Sequence, residues 1–217
     1  MVLAAKASRV GAMTEARTLD VSHLPPYDIS SQAPLWWGQM CIVAIEATMF
    51  SIVIAAYFYV RLRMDVWPPP GDQFPHLVLP TVALIPLIAS AFASYWASEA
   101  AKKDDKRGMV WGMVWNVALA GVFFVMRIVE WHSLNFNWKA DAQGSYVWAF
   151  LGLHSFDYIA DLVMTIVLLF IVLSGRYGEK QRLGVHVDSI VWYFIVAIWI
   201  PIYVVIYWGP RIVETAQ

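Results

Sequence analysis

The chain alternates long apolar runs with short polar or proline-rich breaks. A membrane-spanning helix takes about 20 mostly apolar residues, and five segments are long enough, near 35–61, 77–101, 108–132, 146–174 and 189–210. The breaks are WPPPGDQFP at 67–75, KKDDKR at 102–107, HSLNFNWKADAQGS at 132–145 and GRYGEKQRLG at 175–184. Three of them are polar, and the first is too rich in proline to continue a helix. Most of the runs lack the polar stripe that a soluble helical bundle would need on its outer face. The first 34 residues hold no apolar stretch of the length a cleaved leader needs and read as a polar tail. The pattern predicts an all-α integral membrane protein, with a tail over 1–34 and one five-helix domain over 35–217.

Charge fixes the expected orientation. Lys and Arg gather on the cytoplasmic side of membrane proteins. The tail (Lys6, Arg9, Arg17), the second loop (Lys102, Lys103, Lys106, Arg107) and the fourth loop (Arg176, Lys180, Arg182) carry ten. The other side carries four, Arg61, Arg63, Lys139 and Arg211, while Arg127 lies within a span. Ten against four predicts a cytoplasmic N-terminus and a periplasmic or outside C-terminus.

Composition narrows the class. Charged residues make up 14% of the chain, against roughly 25% in soluble domains. The 12 Trp and 10 Tyr suit two membrane–water interfaces. A net charge of −1 argues against nucleic acid as a partner, which would call for a basic excess. The single cysteine, Cys41, leaves no basis for an intrachain disulfide framework or a cysteine-based zinc or iron–sulfur site.

The polar residues inside the spans are the candidate chemistry. Glu46 stands in VAIEATMFSIVIAAYFYVR with no nearby cation, and a carboxylate in hydrocarbon must be protonated, paired or hydrated. Helical geometry puts Gln39, Phe50, Val53 and Tyr57 on its face. Ala44, Ala47, Thr48, Ser51 and Ala55 form a small-residue stripe on roughly the opposite face, where a second helix could approach closely. The bland reading of Glu46, a protonated and hydrogen-bonded packing residue, weighs as much as the functional one. In the second span Ala89, Ser90, Ala93, Ser94, Ala97 and Ser98 are explained by close helix packing alone. In the third, Asn116, Ala120, Arg127 and Glu130 share a face, and Arg127 and Glu130 are spaced to pair, with Arg127 expected to snorkel at the outer end. In the fourth, His154, Asp157, Tyr158, Asp161 and Thr165 lie within one arc that must face protein or water. His154, Asp157 and Asp161 invite a metal reading. Against it, only His154 of the five histidines lies deep in a span, and membrane di-metal or bis-histidine haem sites draw on several helices. By rise per residue Glu46 and Asp161 fall at similar depth near the midplane.

Taken in order, the motifs resemble subunit III of haem–copper cytochrome c oxidases. The run from PLWWGQMCIVAIEATMF through AAYFYV to DVWPP is similar to the family's Trp-Gly start, buried Glu, Ala-Ala-Tyr-Phe-Tyr and Trp-Pro-Pro loop. Glu130–Trp131 closes the third helix as in the family, GSYVWAFLGLH at 144–154 resembles its Gly-Ser…Gly-Leu-His opening, and WYFIVAIWIPIYVVIYW at 192–208 resembles its aromatic last helix. No one of these motifs is decisive; the ordered set, covering most of the chain beyond residue 34, carries the resemblance. The chain looks like the five-helix form, which also has a cytoplasmic N-terminus. The resemblance implies helices around a lipid-holding cleft beside catalytic subunit I, with no catalytic residue, metal or haem in this chain, and haem and copper in partner subunits. Glu46 matches the family's buried glutamate, which reacts with hydrophobic carbodiimides and lies near the proton-uptake side of subunit I. Arg127 stands where the family usually has Gln, Asp157 where it often has a second His, and Tyr193 and Val196 where it has His and Asp. The gained cation and gained anion predict a contact of Arg127 with Asp157 or His154.

The function so implied is a non-catalytic subunit III of a bacterial terminal oxidase. It would sit in the inner (plasma) membrane, hold phospholipid, stabilise subunit I beside subunit II, and support proton uptake during oxygen reduction. The alternatives are an accessory of another haem–copper enzyme of the nitric oxide reductase type, a small membrane metalloenzyme using His154, Asp157, Asp161 and Glu46, and a proton-coupled transporter. The last is disfavoured because no internal repeat is visible.

Overall fold

The computed structural model describes residues 29–31, 33–67, 75–134, 137–139 and 141–214. Most of the polar tail and of the proline-rich break lies outside them. Five long helices run through the chain: α1 (Pro34–Arg63), α2 (Val78–Lys102), α3 (Lys106–Ser133), α4 (Ala142–Leu173) and α5 (Glu179–Tyr203). The last continues through a π-helical turn, Val204–Trp208, into a short α6 (Gly209–Glu214). All five are long and apolar enough to cross a membrane. Helices suit that setting because each satisfies its backbone polar groups internally, where hydrocarbon offers no partner.

Four helices start and stop close to where hydropathy places them, but α5 begins at Glu179 and not at 189. Apolarity marks the part of a helix in hydrocarbon, not its end. Glu179, Lys180, Gln181 and Arg182 are adequate helix formers, and Glu179 also complements the positive end of the helix dipole. The turn before it is correspondingly tight. Gly175 takes φ +86°, while the Arg176 and Gly175 amides donate to the Ile171 and Val172 carbonyls, each at 3.3 Å. That is the 6→1 and 5→2 pairing that closes a helix through a left-handed residue. Asp104, at φ +57°, closes α2 in the same way, with the Asp105 amide donating to the Ala100 carbonyl at 2.9 Å.

Asp105 then caps α3, its carboxylate accepting from the Arg107 and Gly108 amides at 3.1 Å each. Asp105→Ala should cost about 0.5–2 kcal/mol, visible as a lower unfolding midpoint of the purified chain in detergent. Asp104 joins this loop to the next: it accepts from the Tyr177 hydroxyl at 2.7 Å and pairs with Arg182 at 3.5 Å. Partial burial, and then Asp104, push the Tyr177 phenol up to about 12, so it remains a donor far above neutral pH.

Helix α5 is the centre of the bundle, packed against α1, α2 and α4, while α3 packs against α2 and α4. Trp192, Ile195, Trp199, Ile202 and Tyr207 are almost wholly buried along it. The α2–α3 pair is the closest. Ser90, Ala93, Ser94, Ala97 and Ser98 of the small-residue ladder are buried, and a Cβ on Gly112 would lie 2.6 Å from the Ala97 backbone nitrogen.

Helix α1 is the outlier. It meets α4 and α5 along one edge, where Phe50 and Tyr57 are buried, and Tyr57 packs edge-on to Trp67 and Tyr146. The Glu46 face is therefore the packed face. The small-residue stripe is not: Ala44, Thr48, Ser51 and Ala55 are exposed. The Thr48 and Ser51 hydroxyls turn back onto the Ala44 and Ala47 carbonyls, each at 2.7 Å. Large aromatics on the other face offer more area to bury than small side chains do, and they take the contact with the bundle.

Candidate functional site: buried polar groups of the bundle

Two separate polar groups occupy the interior. The first surrounds Arg127. Its guanidinium pairs with Glu130 Oε2 at 2.9 Å, lies 3.8 Å from the centre of the Trp199 ring and 5.0 Å from that of Phe123. Both charged residues are 3% exposed, so the expected pairing forms, packed inside the bundle with the guanidinium held by neighbouring side chains. The Tyr207 hydroxyl donates to Glu130 Oε1. Tyr207 belongs to the π-helical turn. That turn follows Pro201, which cannot donate to the carbonyl one turn earlier, and a widened turn is a common local answer to such a break. Beyond it, Arg211 donates to the Tyr207 carbonyl and to the Pro75 carbonyl at 2.7 Å, tying the end of the bundle to the loop before α2.

His154 borders this group without joining it. Its Nε2 lies 3.1 Å from the Ile195 carbonyl, which can only accept, so Nε2 carries the proton. Its ring packs on Trp199 at 4.5 Å, the same indole that Arg127 covers. Neither a hydrogen bond nor an ion pair joins Arg127 to His154 or Asp157; Arg127 and His154 meet only across the Trp199 ring they share, and Glu130 supplies the compensating charge.

The second group is acidic and lies where α1, α4 and α5 meet. Asp161 is 7% exposed, its Oδ2 has no hydrogen-bond partner, and it lines a cavity of about 300 Å³ together with Gln39, Asp188, Lys180 and Gln181. Asp188 Oδ2 accepts from the Thr165 hydroxyl at 2.8 Å, and that hydroxyl also lies 3.1 Å from the Asp161 carbonyl. Glu46 and Asp188 are the acidic neighbours of Asp161, and Asp157 is that of Glu46. Glu46 Oε2 and Asp157 Oδ2 are likewise buried and unpartnered.

The sequence-predicted residues thus divide, with Arg127 and Glu130 in one group, His154 at its border, and Glu46, Asp157 and Asp161 in the other. Among the described residues no three His, Cys, Asp or Glu side chains are arranged to hold a metal ion. Sequence reasoning missed Asp188, Trp199 and Tyr207. Asp188 was legible in principle, since Leu183, Val187 and Val191 continue an apolar face on either side of it.

The chain is similar to proteins of one family throughout. The family model described as cytochrome c oxidase subunit III matches residues 18–210. The cytochrome c oxidase subunit 3 of Thermostichus vulcanus is 28% identical over 171 residues, which is 78% of this chain and 85% of that protein. That of a Synechocystis species is 24% identical over 79% of this chain and 74% of the relative, and that of Cyanidium caldarium 25% over 82% and 68%. A match over nearly the whole five-helix region settles the family: this multi-pass membrane protein belongs to the cytochrome c oxidase subunit III family.

Proposed function

We propose that this chain is the non-catalytic third subunit of a bacterial haem–copper terminal oxidase. In that reading it docks against subunit I within a complex that also contains subunit II, holds phospholipid, and supports proton uptake, with its N-terminus in the cytoplasm. The observation that carries the reading is the family match over residues 18–210. The ten-to-four distribution of Lys and Arg supports the orientation. Largely apolar cavities with charged edges support lipid contact, such as the one of about 300 Å³ lined by Phe124, Arg127, Trp131 and Trp148. The placement of Arg127, Glu130 and His154 in packing contacts supports a structural role for that group. Haem and copper belong, in this reading, to the partner subunits.

Purification through a tag on this chain in mild detergent should bring down a larger subunit with haem bands in the visible spectrum. A colourless chain alone that binds metal would overturn the proposal. Glu46→Gln should copurify with the same haem subunits at wild-type yield and start turnover at the wild-type rate, with loss emerging over sustained turnover. Abolition of all turnover from the first cycle would mean that the chain is not an accessory.

A further inference from the structure

The acidic cavity raises a question that packing does not answer. Carboxylates inside a membrane protein need a neutralising positive charge, and the described residues supply one cationic side chain to this cavity, Lys180 at its mouth. From Lys180, Asp188 lies two helical turns further in, about 12 Å along α5. Asp161 is the next carboxyl, with the Thr165 hydroxyl within hydrogen-bond distance of both Asp188 and the Asp161 backbone. Glu46 faces Asp161 from α1, and Asp157 follows one turn further along α4. Three of these four carboxyls keep a buried oxygen with no partner, and that of Asp161 belongs to a side chain lining the cavity. The Gln39 and Gln181 amides at the same cavity are suited to hold water beside them.

We propose that this cavity is a proton-holding site, in which Asp161 and Asp188 take up protons from the Lys- and Arg-rich side of the bundle and Glu46 and Asp157 extend the file toward the opposite half. A hydronium ion entering past Lys180 gives its proton to a carboxylate oxygen and leaves as water, so the cavity gains one neutral carboxyl and loses one buried charge. Metal cations fit less well, since no three acidic or histidine side chains converge among the described residues. The groups facing Asp161 are Glu46 from α1, Asp188 from α5 and Asp157 on its own helix; the cation at the mouth is Lys180. The inference rests on the proposed role in proton uptake for its use, but its test reads the carboxyls themselves.

Infrared spectroscopy of the full chain, with the subunits that copurify, provides that test at neutral pH. Heavy-carbon labelling of aspartate side chains should shift a protonated-carboxyl band in the wild-type protein, with no variant needed to detect it. That band should move on transfer to heavy water and be lost or halved in Asp161→Asn and in Asp188→Asn. Absence of any aspartate-derived protonated band, or a band that both variants leave unchanged, would overturn the site. So would a carboxylate band that responds instead to added sodium, potassium or calcium, since the cavity would then be a metal-cation site. Turnover is not read, so a failure here leaves the accessory role standing, and a failure of that role leaves this result intact.

Discussion

Arg127→Met should unfold the chain's interior more severely than the loss of any surface charge. The substitution keeps the stem and removes the guanidinium, leaving Glu130 3% exposed and without its partner. Breaking a buried ion pair on one side costs about 3–5 kcal/mol, because the remaining charge is stranded. Loss of the stacking on Trp199, at 3.8 Å, adds to that cost, since a desolvated cation–π contact is worth about 2 kcal/mol. The expected result is a sharp fall in the yield and unfolding midpoint of the purified chain. Adding Glu130→Gln should recover most of the loss, since the second change removes the orphaned charge while keeping an acceptor for the Tyr207 hydroxyl. A double variant no better than Arg127→Met alone would show that packing around Trp199, not charge, is what Arg127 supplies.

Gly112→Val should be the second large effect, for a reason unrelated to charge. At Gly112 the nearest obstacles to a Cβ are backbone atoms of Ala97, the nitrogen at 2.6 Å and the Cα at 2.8 Å. Backbone cannot rotate aside as a flexible side chain would, so α2 and α3 must separate. Overpacking a well-filled interior costs about 1–3 kcal/mol, and occasionally more; a helix-wide displacement belongs at the upper end. Gly121→Val is the control, because nothing lies within 4 Å of a Cβ there. Thermal unfolding in detergent should separate the two variants clearly. Equal destabilisation would point to helix propensity as the cause in place of the α2–α3 contact.

The length and number of the helices were legible because hydrocarbon imposes both: a run of apolar residues can do little else there than form a spanning helix. The start of α5 was not, since its first turns lie beyond the apolar zone and carry the same residues as a loop. The Glu46 face was legible from helical geometry, and Phe50 and Tyr57 are buried where that geometry places them. The opposite stripe misled because small residues permit a close neighbour without requiring one. A contact of Arg127 with His154 or Asp157 was expected because the third and fourth spans were considered alone. Trp199 of α5 takes Arg127 and His154, Tyr207 of the π-helical turn takes Glu130, and Asp188 of α5 faces Asp161. Which residues a third helix brings is a tertiary fact that no spacing within one segment reveals.

The sparse contacts of α1 have a consequence for how the protein is made. Its partners within the chain, α4 and α5, are synthesised last, with roughly 80 residues between the end of α1 and the start of α4. At about 5–20 residues per second, α1 waits for several seconds before its first partner helix exists. During that interval Glu46 and Phe50 have only lipid or an insertion factor where α4 and α5 will pack, and Tyr57 has Trp67 beside it. Birth order, and not final stability, makes α1 the vulnerable segment of this chain in the cell.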